Sequence, residues 1–261
     1  MKHKIFEVNY RKEKFKVVLD NIWYGKKYWL DLINNKNEPI TFNIFDKYSS
    51  KDVSFLDLGA AIGLTSIYAS YKFKDVLAVE PNKDVLWFLN KNIKINNIRN
   101  IKVLNGCVGI ENKKIIFEKG DNFNEIVFTK IKKQKYHINS YQISNLFLKI
   151  KNKKIFVKID IEGFEFNLLN NDKFISNINT KKPMIFLSIH HGASPLLKYN
   201  RYKLNFLHRF LNLTKTFEEY KLILKLFKIY KYIYIDEKRV SKYFFLNLKY
   251  YRKDVDIFFH K

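Results

Sequence analysis

The chain has 261 residues, 47% hydrophobic and 17% aromatic, with four prolines and eight glycines; this suits one α/β domain and excludes a long disordered protein. Its formal charge of +24 comes almost wholly from lysine, with arginine only at Arg11, Arg99, Arg201, Arg209, Arg239 and Arg252. That balance lacks the bidentate forks of a phosphate-reading surface and points away from specific nucleic-acid binding.

Met1-Lys-His-Lys leads into no apolar run, so a secretory leader is not expected. Residues 1–50 carry Trp23, Tyr24, Tyr28 and Trp29 and then Asn37-Glu-Pro-Ile-Thr41, and read as an N-terminal cap. Val53 to Leu58 is a buried strand, Leu64 to Tyr71 a helix, and Val76-Leu-Ala-Val79 a second strand ending in Glu80. Val85, Leu86, Leu89 and Ile93 repeat at helical spacing, which predicts a helix over Lys83–Asn97, and Ile101 to Leu104 is the third strand. Ile115-Ile-Phe117 and Ile126-Val-Phe128 flank Lys119-Gly-Asp-Asn122 and predict an inserted hairpin.

Ile155 to Asp160 is a further strand, followed by a helix over Gly163–Leu169, and Met184 to Ile189 is a strand that ends in His190-His191-Gly192. A helix is expected at Phe217 to Lys231, where the Lys221, Lys225 and Lys228 stripe suggests packing on the sheet or, as the alternative, docking on a membrane surface. Tyr232–Ile235 and Val255–Phe259 close the sheet. The uncharged stretches Leu58–Tyr71 and Pro183–Leu197 fall short of the roughly 18 apolar residues of a membrane span. The single Cys107 excludes an internal disulfide, and a cytoplasmic protein is expected. With no linker or repeat, the chain reads as one domain: cap 1–50, cofactor-binding core 51–192, and C-terminal helix and closing strands 193–261.

The richest stretch is Ser54-Phe-Leu-Asp-Leu-Gly-Ala-Ala-Ile-Gly63, in which Asp57 ends an apolar run before a glycine turn and a helix. Gly59, Ala60 and Gly63 let the backbone approach a ligand at the helix N-terminus. The pattern D-x-G-x-x-x-G differs from G-x-G-x-x-G, because the Asp57 carboxylate would repel a pyrophosphate but suit an ammonium. Glu80, seventeen residues beyond Gly63, is placed to accept hydrogen bonds from a ribose diol. A ligand with an ammonium, a ribose and no phosphate is S-adenosylmethionine. Pro81 and Asn82 continue that turn, and Gly106, Cys107 and Val108 after the third strand suit the flat adenine.

Phe55-Leu-Asp-Leu-Gly-Ala-Ala-Ile-Gly63, Val79-Glu-Pro-Asn82, Asn105-Gly-Cys-Val108 and Val157-Lys-Ile-Asp-Ile-Glu-Gly-Phe-Glu165 together resemble the ordered signature of FkbM-type S-adenosylmethionine-dependent methyltransferases. The resemblance implies a class I methyltransferase fold, a Rossmann-like, mostly parallel sheet with an antiparallel C-terminal edge strand. It also implies O-methylation of a sugar or other hydroxyl in surface polysaccharides, glycolipids or secondary metabolites. Asn37-Glu-Pro-Ile-Thr41 resembles the acidic-proline segment that precedes the family's glycine turn, whereas Ser188 stands where the family often carries an acid before the histidine.

The expected acceptor is a small molecule or saccharide, phosphorylated or nucleotide-linked forms included. A hydroxyl is a poor nucleophile at neutral pH, and His190, with His191 second, is the expected base. Asp160 and Glu162 would orient the imidazole or the hydroxyl, and Asp160 also borders the cofactor. The spacing of these four residues is no recognised metal signature, so no metal is expected, the alternative being a divalent cation held by the same side chains. Lys158 either contacts an anionic acceptor or snorkels to the surface. The competing functions are an RNA methyltransferase and a non-catalytic basic binding protein that retains the fold.

Overall fold

Alternation of side chains along buried strands builds this molecule. The computed structural model describes residues 4–19, 25–118, 135–190, 206–243 and 255–261. The chain opens with an antiparallel hairpin, β1 (Ile5–Tyr10) and β2 (Glu13–Val18), then helices α1 (Lys26–Ile33) and α2 (Pro39–Tyr48). There follow β3 (Ser54–Leu58), α3 (Leu64–Lys72), β4 (Val76–Glu80), α4 (Lys83–Ile95), β5 (Ile101–Val108), β6 (Lys113–Glu118) and β7 (Lys135–Tyr141). The second half comprises α5 (Ile143–Leu148), β8 (Ile155–Ile159), α6 (Glu165–Asn170), α7 (Asp172–Lys181), β9 (Met184–Ile189), α8 (Phe206–Phe227), β10 (Tyr232–Ile235), β11 (Lys238–Arg239) and β12 (Val255–His260).

Ten strands form one sheet in the order β11-β10-β12-β9-β8-β3-β4-β5-β7-β6. Strands β9, β8, β3, β4, β5 and β7 run parallel, while β12, β10, β11 and β6 add antiparallel pairs at the two sides. This is the mostly parallel sheet with an antiparallel C-terminal side that the sequence leads one to expect. From β3 the chain steps outward to β4 and β5, then returns to the other side of β3 with β8 and β9. The order therefore reverses between β3 and β8, the position at which open α/β sheets place ligands.

The expected antiparallel C-terminal side is present as the pair β12 and β10, with the two-residue β11 outermost. One expectation changes. The third strand runs on to Val108, since after Asn105 it exchanges its β4 partner for β7. The partner of β6 along its whole length is β7, from Lys113↔Ser140 to Glu118↔Lys135; the expected partner Ile126–Phe128 and the Lys119–Asn122 turn lie outside the described residues.

The period of two in each central strand sorts side chains onto two faces. Leu56, Val157, Leu187 and Ile257 face one helical layer with Leu168, Ile178, Ile223 and Leu226. The lysine-striped helix α8 packs on this face through the buried Tyr220, Ile223 and Leu226, while Lys221 and Lys225 reach outward to Glu218 and Asp172. On the opposite face Phe55, Phe156, Phe186 and Phe258 form a row across β3, β8, β9 and β12. Phe45 of α2 sits against that row, with its ring 4.9 Å from Phe55, 5.4 Å from Phe156 and 6.4 Å from Phe186.

The N-terminal segment thus supplies a layer of the core. Its β1–β2 hairpin adds Val8, Tyr10, Phe15 and Val17 to the same cluster. Asn92 of α4, fully buried, binds the hairpin through Val18 N–H at 2.8 Å and the glycine turn through the Ile62 carbonyl at 3.0 Å. Replacing Phe45 by alanine removes the ring around which this layer closes, and urea unfolding should register a loss of about 3–5 kcal/mol. A loss below about 1 kcal/mol would show that the cap contributes little to the core.

Candidate functional site

The parallel strands present their carboxyl ends together, and the glycine turn after β3 is the tightest point. Gly59 has φ +83°, and a Cβ there would stand 1.9 Å from the Asp160 carbonyl oxygen, so only glycine lets the tips of β3 and β8 close on each other. Gly63 has φ +94°, and a Cβ there would meet Leu89 Cδ1 at 2.4 Å. The Gly59 and Ala60 amides donate to the Val79 carbonyl, which ties the turn to β4. Ala61 also takes a left-handed φ of 48°.

Asp57 lies under this turn, fully buried. Its Oδ2 accepts from Thr65 Oγ1 at 2.7 Å and Ser66 Oγ at 2.6 Å, pinning the first turn of α3. Its Oδ1 has no hydrogen-bond partner and lies 4.0 Å from Lys158 Nζ. Glu80 closes the other side of the turn: Oε2 accepts from Ala61 N–H at 2.9 Å and Oε1 from Asn82 N–H at 2.7 Å. Burial pushes the Glu80 carboxyl up to about 7 despite these two donors. Asn82 caps α4 by accepting from Asp84 N–H, and its buried Nδ2 has no partner. Pro81 is held from the far side by Tyr136, whose hydroxyl donates to the Pro81 carbonyl at 3.2 Å.

The residues assigned to the adenine divide. Gly106 is buried against β7, where a Cβ would stand 2.4 Å from the Asn139 carbonyl, so strand pairing accounts for this glycine. Val108 is 2% exposed and belongs to the core. Cys107 is half-buried beside them, and burial pushes its thiol up.

A second charged group gathers at the tips of β8 and β9. Lys158, expected to snorkel or to meet an acceptor, is 2% exposed and pairs with Asp160 Oδ2 at 2.7 Å. Burial alone would lower its pKa, but Asp160, Asp57 and Glu38 outweigh that and raise it, so it stays charged. Burial raises Asp160, yet Lys158 and then His190 hold its carboxyl below the usual range. His190 lies with Nε2 at 3.5 Å from Asp160 Oδ1 and Nδ1 at 3.3 Å from Glu165 Oε1. Burial works against its charge, but Glu165, Asp160 and Glu162 raise the imidazole to about 9. Glu162, at φ 55°, brings its carboxylate to the same place, where burial pushes it up. His191 lies outside the described residues.

Four members of this group were not singled out as site residues. Glu165, fully buried, opens α6, accepts from Ile161 N–H at 2.9 Å and backs His190. Asp256 of β12 stands directly opposite Ser188 and accepts its hydroxyl at 2.7 Å, which puts a carboxylate beside that serine. Glu38, exposed at the start of α2, is within electrostatic reach of Lys158, Asp160 and Asp256. Lys158 itself is the fourth. Glu38 and Glu165 sit inside the motifs quoted above, which marked their neighbourhood without their partners; Asp256 carried no sequence signal, because its role arises from strand order.

The Methyltransferase FkbM domain matches residues 57–234, from the glycine turn into β10. The chain belongs to this methyltransferase family. Among solved structures, an FkbM methyltransferase from Methylobacillus flagellatus is 19% identical with a TM-score of 0.44; the match covers 80% of this chain and 44% of that one. This chain therefore spans under half the length of that relative. Precorrin-6y C5,15-methyltransferase from Geobacter metallireducens is 13% identical (TM-score 0.44, covering 94% and 95%). A tRNA m1G37 methyltransferase from M. jannaschii is 13% identical (TM-score 0.39, covering 100% and 58%). No curated protein matches the sequence.

The raised Glu80 value fixes a sign. A carboxyl whose folded value lies above its ordinary one favours the fold fully at pH below about 4.5, and that contribution is lost as pH rises through about 7. Denaturant titrations from pH 5 to 8 should show the FkbM chain losing stability, with Glu80→Gln removing that part of the slope. An unchanged slope in the variant would assign the titration to another group.

Proposed function

We propose that this FkbM-family chain is an S-adenosylmethionine-dependent O-methyltransferase acting on a hydroxyl of a sugar or surface-polysaccharide precursor in the cytoplasm. We also propose that it is a single domain, with 1–50 as cap, 51–192 as cofactor-binding core and 193–261 as the C-terminal part. The observation that carries the reading is the meeting, at one reversal of strand order, of the glycine turn, Glu80 and the Asp160–Glu162–His190 group.

The residues present fit the cofactor. Asp57 Oδ1 and Asn82 Nδ2 are buried polar atoms with no hydrogen-bond partner, and the turn over them is formed by two glycines at positive φ. Gly59, Ala60 and Gly63 would line the amino-acid side with Asp57 beneath the ammonium, and Glu80 would take the ribose with Pro81 and Asn82. Cys107 would face the adenine, with Gly106 and Val108 shaping the strand behind it. The cofactor supplies an electrophilic methyl group on a sulfonium. The carboxylates of Asp57, Asp160 and Glu162 favour that positive charge through ordinary electrostatics.

On the acceptor side, His190 meets the hydroxyl at Nε2, with Asp160 and Glu162 orienting both, and His191 next in the chain. Holding the hydroxyl in line with the methyl group can supply roughly 7–11 kcal/mol of the acceleration. Glu38 and Asp256 extend the acceptor side from the cap and from β12. These carboxyl groups offer hydrogen bonds to a saccharide and no cation to a nucleic-acid backbone, which supports the sugar reading over RNA.

A methyl-tritiated donor assayed against nucleotide sugars, polysaccharide fragments and RNA should label the saccharide fractions. Gly59→Ala, which drives a Cβ into the Asp160 carbonyl, should lower transfer by roughly 100-fold. Label in RNA alone would overturn the saccharide reading, and donor binding without transfer to any class would favour a silent binding protein.

A further inference from the structure

We propose that Asp160, Glu162 and His190 form a binding site for one octahedral divalent cation, Mg2+ or Mn2+, at the position where the acceptor hydroxyl is activated. The inference rests on the acceptor-side reading above and deepens it. Each of the three residues offers one ligand atom, and all three atoms lie within 4.8 Å of one another. Ligands about 2.1 Å from a common octahedral ion stand about 3 Å apart when adjacent and about 4.2 Å when opposite, so small side-chain rotations bring this set into place. Asp160 Oδ1 and His190 Nε2 are already 3.5 Å apart. Lys158 engages Asp160 through Oδ2 and leaves Oδ1 facing the histidine.

A second, independent observation comes from Glu165. This fully buried carboxylate lies 3.3 Å from His190 Nδ1 through Oε1, and its Oε2 has no hydrogen-bond partner. A carboxylate behind one ring nitrogen fixes the tautomer and turns the lone pair of the other toward a metal, the arrangement characteristic of metal-ligating histidines. A buried carboxyl group with one unpartnered oxygen is costly unless positive charge lies near it. One imidazole and two carboxylates suit Mn2+ or Mg2+ over the soft metals that prefer thiolate.

Three protein ligands leave three octahedral positions, two of which match the adjacent oxygens of a vicinal diol. In this state the cation takes the place of a proton on His190 Nε2. The bound hydroxyl gives its proton to water, its oxygen forms the bond to the methyl carbon, and the electrons of the broken carbon–sulfur bond remain on sulfur. The substrate class narrows accordingly to saccharides with adjacent free hydroxyls.

The purified chain is to be titrated with MnCl2 alone, following the loss of the free-ion paramagnetic resonance signal, and separately with S-adenosylhomocysteine by calorimetry. One Mn2+ per chain is expected, with affinity lowered roughly tenfold or more in Glu162→Gln and in His190→Ala while thioether binding is kept. Should either variant fail to fold, a rise in the melting temperature of the unaltered protein with Mn2+ supports the site, and no rise overturns it. Binding of the thioether without Mn2+ uptake, or Mn2+ uptake indifferent to both substitutions in folded protein, overturns the cation site and leaves the cofactor reading standing. Mn2+ uptake without thioether binding does the reverse.

Discussion

A single buried ammonium organises the centre of this molecule. Lys158 is paired in register with Asp57 on the adjacent strand and bonded to Asp160 two residues on. A lysine with no access to water is costly unless opposite charge surrounds it, and two carboxylates at the reversal of strand order provide that charge. The same ion pair brings the two strand tips together, which is why Gly59 must lack a side chain where it passes the Asp160 carbonyl. Fold and site therefore share one electrostatic knot.

Much of this was legible in the sequence because it is local. Runs such as Ser54–Leu58 and Ile155–Ile159 are buried on both faces and read as uninterrupted apolar strands, and the turn between Asp57 and Gly63 carries its conformation in its glycines. The approach of His190 to Asp160 and Glu162 also followed, since parallel strands must end on the same side. What stayed hidden depends on strand order. Asp256 lies 68 residues from Ser188, and no periodicity shows that β12 threads between β9 and β10 to bring them together. Lys158 looked like a snorkelling side chain because its burial is created by the tips around it. Gly106 looked like a ligand contact, although the Asn139 carbonyl of a later strand explains its small size.

Charge is distributed in a way the total conceals. A chain of +24 collects Asp57, Asp160, Glu162, Glu165 and Asp256 around one lysine and one histidine. The basic exterior and the acidic centre answer to different demands: the former accompanies a lysine-rich composition, and the latter creates a local field that favours positive charge. Net charge alone would have suggested a polyanion as partner, whereas the arrangement of these side chains favours cationic ligands.

The row formed by Phe55, Phe156, Phe186 and Phe258 has an evolutionary consequence. Phe45 keys the second helix into that row, and the same helix begins at Glu38 beside the charged centre. A lineage exploring new acceptors by exchanging its leading segment would strip the cover from aromatic rings on four strands. A segment exchanged for this one keeps those rings dry only if it brings a ring to the same hollow.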